Sequence, residues 1–182
     1  YSGLLFFYLL ALLLLPAVVL GLLGRPLKIY GLIFSVLMLV IVFGEGGQLP
    51  ALIAFYLWEA AIFLAYRRWR ARLPLWAVVL FAALPLALVK VGEVWSPFAA
   101  FRLLGISYMT FRAVEALLNL HDGTVEALSF FQWSSFLLFF PSVSSGPIDR
   151  CRRFLSDLER KITPEEYIDL LRRGVWKLVG GA

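Results

Sequence analysis

Long apolar runs separated by short polar turns dominate the first half of the chain. Each run holds about 17 or more nearly uncharged residues, which is long enough for a helix to cross a hydrocarbon core of ~30 Å. Prolines within the first and fourth runs are tolerated in membrane helices whose neighbours satisfy the freed carbonyl groups. We predict membrane-spanning helices at 4–23, 27–43, 49–66 and 73–91.

Basic residues fall on alternate turns between these runs. The turn at 24–28, "GRPLK", and the turn at 67–72, "RRWRAR", are basic, whereas "GEGGQ" at 44–48 carries only an acid. Cytoplasmic loops are enriched in Lys and Arg. The pattern therefore predicts a multi-pass cell-membrane protein with an extracellular N-terminus and with loops 24–28 and 67–72 in the cytoplasm.

Polar residues within apolar helices are the candidates for buried chemistry. The predicted helix at 101–120 contains Arg112 and Glu115, which are three residues apart on one face and could pair. Glu59 lies in the middle of the third span. Ionisable groups at such positions face protein or water rather than lipid. Glu59 is therefore either a functional carboxylate or a hydrogen-bond partner for another helix.

The next apolar run, 128–140, is too short to cross a membrane alone, and a break interrupts the candidate span that extends it to 145. "PSVSSGP" at 141–147 combines two prolines, a glycine and three serines. If 101–120 and 128–145 both crossed the membrane, the arginines that follow would lie outside and violate the charge rule. We therefore expect one of the two to be re-entrant or tilted, with a broken helix around 141–149.

The last segment, 163–179, has the signals of an amphipathic helix. Thr163 is the predicted N-cap, Pro164 takes the first helical position and Glu166 completes a capping box. The helix either lies at the membrane interface or begins a further span.

Composition supports an all-α, polytopic transmembrane protein with a single membrane domain over 1–182. Apolar residues make up 62% of the 182 residues, which is more than in soluble domains. The 17 Lys and Arg residues are explained by topology, so we expect no nucleic-acid partner. A single cysteine and a single histidine exclude an internal disulfide and multi-cysteine or multi-histidine metal sites.

Two single residues have alternative interpretations. Cys151 lies between arginines, which could depress the pKa of its thiol and make it reactive, or it is incidental. His121 opens "HDG", a predicted turn with Gly123 at positive φ. It is either a loop histidine at the membrane interface or a base that lacks an obvious partner.

Three stretches resemble the membrane-bound O-acyltransferase (MBOAT) family, and its D-alanyl-transfer branch in particular. They are "FLLFFPSVSSGPIDRCRRF" at 136–154, "GISYMTFRAVEALLNLHDG" at 105–123 and "LLPAVVLGLLG" at 14–24. The motif Ser-Gly-Pro-Ile-Asp-Arg is the most specific part. The resemblance implies an MBOAT-like ring of helices around a central tunnel, of which this chain would be the N-terminal half.

The resemblance also implies a reaction and its partners. A small acidic carrier protein at the cytoplasmic face would present D-alanine as a thioester on its phosphopantetheine arm, with no further cofactor and no metal. Lipoteichoic acid hydroxyls would accept the acyl group with the help of an accessory membrane-anchored protein, and membrane lipids would surround the enzyme. Residues of the break become substrate-tunnel candidates: Ser144, Ser145, Gly146, Pro147, Asp149 and Arg150.

No catalytic residue can be transferred by resemblance. The histidine of the family lies in an apolar helix downstream of the Ser-Gly-Pro-Ile motif, and His121 does not match that position. We therefore expect the catalytic histidine to lie beyond this chain. The alternatives are an exopolysaccharide O-acetyltransferase of the same family, a transporter fragment or a non-catalytic membrane scaffold.

Overall fold

The computed structural model of the protein describes residues 4–45, 47–94, 105–125, 127–142, 150–160 and 162–180. These residues form α-helices and one short 3₁₀ turn, at Phe140–Ser142, and no strand. The all-α prediction is therefore confirmed for the described part of the chain. The helices are α1 Leu4–Leu22, α2 Lys28–Glu45, α3 Leu49–Trp69, α4 Leu75–Val94, α5 Ile106–His121, α6 Phe130–Leu137, α7 Cys151–Glu159 and α8 Pro164–Gly180.

Glycine-terminated turns join the first three helices. At the end of α1, the Arg25 N–H bonds to the Leu20 carbonyl and the Gly24 N–H bonds to the Gly21 carbonyl. Gly24 has φ of 63°, the left-handed conformation that this type of helix ending requires. The same pattern ends α2, with Gly47 in the equivalent position. Both helices therefore end abruptly, and the chain reverses within a few residues.

Helices α1 to α4 occupy the four predicted spans. Of the helices in the described part, α3 is long and apolar enough to cross a membrane, and α1, α2 and α4 contain shorter apolar stretches at 8–22, 28–44 and 75–91. Pro16 and Pro85 lie inside continuous helices. The polytopic part of the prediction stays a prediction.

Helix α5 lies at the centre of the packing. It contacts α3, α4, α6 and α7, and it buries small residues such as Ala113 and Ala116 that allow close approach. Opposite it, Trp133 of α6 is almost fully buried and stacks on Phe63 of α3, with ring centroids 4.9 Å apart. The core is therefore continuous from α2 to α7.

Within the predicted span at 128–145, the described residues form a shorter helix. Helix α6 begins with a capping box between Ser129 and Gln132, and it ends at Leu137. A short 3₁₀ turn follows at Phe140–Ser142, where the predicted break begins, and 143–149 lie outside the described residues. A second, nine-residue helix, α7, begins at Cys151, where we predicted no element.

Helices α6 and α7 form an antiparallel hairpin. Near the start of α6, the Gln132 side chain donates a hydrogen bond to the Glu159 carboxylate at the end of α7, over 2.5 Å. At the inner end, Phe154 packs against Phe136 and Phe139, with centroids 5.4 and 5.2 Å apart. The chain thus leaves the hairpin at the same end of the bundle at which it entered.

Helix α8 begins at Pro164 with Thr163 as its N-cap, as predicted, whereas the Glu166 half of the predicted capping box stays a prediction. The Thr163 hydroxyl accepts a hydrogen bond from the Glu166 N–H over 3.3 Å, while the Glu166 carboxylate pairs with Arg160. Tyr167 packs on Gly21 of α1 and donates to the Ala17 carbonyl. The remaining apolar residues of α8, including Trp176, are largely exposed. Little of the apolar surface of α8 is therefore covered by the described helices.

Candidate functional site

Arg112 closes the end of α6. It is 2% exposed, and its Nη1 atom donates a 2.6 Å hydrogen bond to the Phe136 carbonyl. That carbonyl is one of the last in α6, where no helical partner remains. The guanidinium also lies over the ring of Phe136 at 4.8 Å and near that of Phe139 at 5.9 Å. One buried cation therefore satisfies the backbone and contacts the aromatic rings at the break.

Glu115, one helical turn further along α5, holds the start of α7. Its Oε1 atom accepts a 2.8 Å hydrogen bond from the Cys151 N–H. The first N–H groups of a helix lack internal partners and favour a negative charge. Arg112 and Glu115 thus hold the two sides of the break from a single helix, and we call this pair of contacts the α5 clamp. The predicted ion pair between the two residues stays a prediction.

Two further polar contacts hold the hairpin. The buried Ser35 hydroxyl of α2 accepts a 3.3 Å hydrogen bond from the Phe140 N–H. Tyr56 of α3 shares a 2.8 Å hydrogen bond with Ser134 of α6. Irregular backbone is tolerated inside a membrane only where protein or water satisfies it. The Ser35 contact meets that requirement on the α6 side of the break, and the Tyr56–Ser134 bond fixes α6 to α3.

Most of the predicted tunnel residues lie outside the described residues. These are Ser144, Ser145, Gly146, Pro147 and Asp149. Arg150 is described: it is the exposed N-cap residue of α7 and its side chain makes no capping bond. Their role as tunnel residues therefore stays a prediction.

Glu59 is buried in α3, with 1% of its surface exposed. Neither carboxylate oxygen has a hydrogen-bond partner among the described residues. A buried polar group without a partner is unfavourable and calls for an explanation. The interpretation of Glu59 as a structural partner of a neighbouring helix thus finds no support in the described part, and the functional interpretation stays open.

The hypothesis of a reactive Cys151 is wrong. The residue is fully buried at the start of α7. Burial, followed by the charge of Glu115, raises the pKa of its thiol to about 12, although Arg112 acts in the opposite direction. The arginines on either side of it in sequence, Arg150 and Arg152, are exposed. The thiol is therefore a core contact.

His121 joins two helix ends. Its Nδ1 atom shares a 2.7 Å hydrogen bond with the Tyr66 hydroxyl, and its carbonyl accepts a 2.5 Å bond from Arg70 in the basic turn. Gly123, next in the turn, has φ of 70°, as predicted. The histidine ties the end of α5 to the end of α3.

A cavity of about 700 Å³ lies between the hairpin, the α1–α2 turn and the start of α8. Phe139, Phe154 and Leu158 form its hairpin wall, and the opposite walls come from the α1–α2 turn and the start of α8. Its size falls in the usual range for small-molecule sites. The sequence did not indicate this cavity, because its walls come from four separate stretches of the chain.

The chain is similar to teichoic acid D-alanyltransferases from three bacteria. It is 37% identical to that of Bacillus subtilis (strain 168) over 194 aligned positions, which cover 100% of this chain and 49% of the relative. For Lacticaseibacillus rhamnosus the identity is 33% over 186 positions, covering 97% and 46%. For Streptococcus thermophilus it is 33% over 136 positions, covering 72% and 33%.

The chain spans about half the length of the first two relatives. No family model matches it. The alignment with the Bacillus protein covers this whole chain, and therefore all of α1 to α8.

Proposed function

We propose that this chain, a relative of the teichoic acid D-alanyltransferases along its whole length, is the N-terminal half of a membrane-bound O-acyltransferase that transfers D-alanine to teichoic acid. The observation that carries the proposal is 37% identity over 100% of the chain to a protein of that name. At this identity and coverage, chance similarity of apolar helices is a poor explanation. The stretches at 105–123 and 136–154, which resemble the D-alanyl branch of the family, indicate the same activity.

The reaction is the transfer of an acyl group from sulfur to oxygen. An acceptor hydroxyl attacks the thioester carbonyl, the C–S bond breaks, and an ester C–O bond forms. The hydroxyl proton passes to the departing thiolate. The histidine that moves this proton belongs to the downstream half of the enzyme, and this chain supplies one wall and the scaffold.

In this proposal the hairpin is the part of the chain nearest the reacting groups. Its contacts support this role, because the α5 clamp and Ser35 hold the backbone on each side of the break. Transfer between two bound partners requires a rigid frame, because a small misplacement of the reacting atoms lowers the rate. The tunnel candidates Ser144 to Arg150 would line the passage from that frame.

The proposed donor is an acidic carrier protein that bears D-alanine on its phosphopantetheine arm. Exposed arginines of the 67–72 turn, together with Arg25 and Lys28, lie at the end of the bundle where α1 and α3 end. Opposite charges of this kind accelerate encounter. The proposed acceptor is lipoteichoic acid, presented with an accessory membrane-anchored protein.

The transfer itself tests the proposal. Membranes that contain the complete gene product and its accessory protein receive carrier protein charged with radiolabelled D-alanine, and alkali-labile label on lipoteichoic acid is counted. We expect label to require both the gene product and the carrier thioester. Ester formed from labelled acetyl donor instead, with none from the carrier, would contradict the proposal and favour an exopolysaccharide O-acetyltransferase.

A matched pair of variants tests the role of the hairpin. Arg112→Met removes a charge-assisted hydrogen bond worth about 1.5–3 kcal/mol, so we expect transfer per folded molecule to fall by about tenfold or more. Arg152→Met removes the same charge from an exposed position on the same hairpin, and we expect a change of less than about twofold. Equal effects of the two substitutions would refute a specific role of the α5 clamp.

A further inference from the structure

We propose that the 700 Å³ cavity binds an anionic phospholipid, with the headgroup at the α1–α2 turn and the acyl chains along the outer faces of α1 and α2. The inference rests on the proposed membrane location but not on the proposed acyl transfer. It concerns the cavity between the hairpin, the α1–α2 turn and α8, whose residues Arg25 and Lys28 the proposed function also offers to the carrier protein.

The first argument is the unpaired positive charge at the mouth. Arg25 and Lys28 line the cavity, and neither side chain has a hydrogen-bond or ion-pair partner in the described part of the chain. A third lining cation, Arg160, pairs with Glu166. Basic pockets between membrane helices on the cytoplasmic side are suited to anionic lipid headgroups.

The acidic residues of the lining decide which headgroup fits. Glu159 accepts a hydrogen bond from Gln132, and Asp157 is the unpaired acid on α7. Because Gln132 is a neutral partner, Glu159 keeps its charge, and the lining as a whole carries three cations, Arg25, Lys28 and Arg160, against two carboxylates. The balance favours a headgroup with a net negative charge over one in which an ammonium group neutralises the phosphate.

The second argument is the apolar part of the lining, with which a free phosphate ion would make no favourable contact. Leu27 of the α1–α2 turn and Leu32 of α2 line the cavity together with Phe139 and Phe154 of the hairpin. Just outside it, α1 and α2 expose a set of large apolar side chains to their surroundings: Leu22, Leu23, Ile29 and Ile33. An occupant that places charge at the mouth and hydrocarbon along these walls is an amphiphile.

Native mass spectrometry of the complete gene product in detergent tests the site. The delipidated protein is titrated with phosphatidylglycerol, phosphatidylethanolamine or phosphatidylcholine. We expect preferential retention of phosphatidylglycerol. Each basic residue near a charged lipid contributes ~1 kcal/mol, so Arg25→Gln/Lys28→Gln should weaken retention by about 30-fold.

Three further variants make the result specific. Arg67→Gln/Arg68→Gln removes two charges from the other basic turn and should retain the lipid. Gly31→Phe should weaken binding without a charge change, because Gly31 lines the cavity and a Cβ there meets open space. Asp157→Asn should strengthen binding of phosphatidylglycerol.

Several results would overturn the proposal. They are equal loss in both double variants, no loss in Arg25→Gln/Lys28→Gln, displacement of the lipid by inorganic phosphate, and preference for phosphatidylethanolamine. Thermal melting of each variant shows whether it is folded. Because binding is measured without carrier or acceptor, a protein inactive in D-alanyl transfer can still retain the lipid, and the two proposals fail separately.

Discussion

Buried polar side chains of α5 act on backbone groups that the break leaves without partners. Arg112 binds the Phe136 carbonyl, and Glu115 binds the Cys151 N–H. Each replaces a hydrogen bond that a continuous helix would have made internally. The sequence suggested that these two polar residues pair with each other. The structure shows that each one binds a backbone group at one side of the break.

Glu115→Ala tests the α5 clamp at its acidic residue. A buried N–H that loses its acceptor costs about 1–3 kcal/mol, so we expect the complete protein in detergent to lose that amount of unfolding free energy. Glu115→Gln retains an acceptor oxygen and should lose less than half as much. Chemical denaturation followed by tryptophan fluorescence measures both. Equal stability of the alanine variant and the wild type would show that the contact is dispensable.

The thiol of Cys151 should be inert in the folded protein. With a pKa of about 12, only about one thiol in ten thousand is ionised at pH 8. Because the thiolate is the reactive form, alkylation by iodoacetamide should be at least about a thousandfold slower than in detergent-denatured protein. The rate should rise with pH without reaching the denatured value below about pH 11. Rapid labelling of folded protein at pH 7 would contradict the buried position.

At the scale of elements, the α6–α7 hairpin departs most from what the sequence indicated. Long apolar runs, basic turns and glycine endings were sufficient to predict α1 to α4 and the start of α8. Helix α7 was missed because it has nine residues and begins beside arginines. Its buried stripe, Cys151, Phe154, Leu155 and Leu158, nevertheless has helical spacing and could have revealed it.

The α5 clamp and the cavity could not have been predicted in the same way. The clamp joins residues 24 and 36 positions apart, and no local pattern encodes which carbonyl a buried arginine reaches. Arg112 and Glu115 were recognised as buried polar residues because they interrupt an apolar helix. Their partners depend on where the hairpin packs, which is a property of the folded chain.

The contact of α8 with α1 depends on a glycine. A Cβ built on Gly21 would lie 2.3 Å from the Tyr167 ring, so Gly21→Ala forces the ring to move. Overpacking of this kind costs about 1–3 kcal/mol. We expect faster amide exchange across 164–180 in the variant, measured by mass spectrometry.

A second substitution identifies the cause of that change. Tyr167→Ala in the Gly21→Ala background should bring exchange across 164–180 back toward the wild-type rate, because the clash is gone. Gly44→Ala is the control, since a Cβ there meets open space. If Gly21→Ala left exchange in α8 unchanged, α8 would not depend on this contact.

For the molecule as a whole, the turns after α1 and α3 lie at one end of the bundle, with the entry and exit of the hairpin. Tyr66 of α3 bonds to His121 of α5 at this end. The turn between α2 and α3 lies at the opposite end. The basic residues of the 24–28 and 67–72 turns therefore lie at one end of the bundle, as a membrane protein with these turns in the cytoplasm requires.

Cysteine labelling tests that arrangement. In a Cys151→Ser background, Arg72→Cys should react with a membrane-impermeant maleimide only in inside-out vesicles. Gly44→Cys should react only in right-side-out vesicles. Detergent-opened vesicles, in which both must react, are the control. Labelling of both positions from the same side would contradict the multi-pass arrangement.

The most direct test of the account is the D-alanine ester content of teichoic acid in cells. The gene for the complete protein is deleted and then restored, and alkali-released D-alanine is measured against teichoic acid phosphate. We predict loss of the esters on deletion and recovery on restoration of the wild-type gene. Unchanged D-alanine in the deletion strain, or loss of polysaccharide O-acetyl groups in its place, would contradict the proposed function.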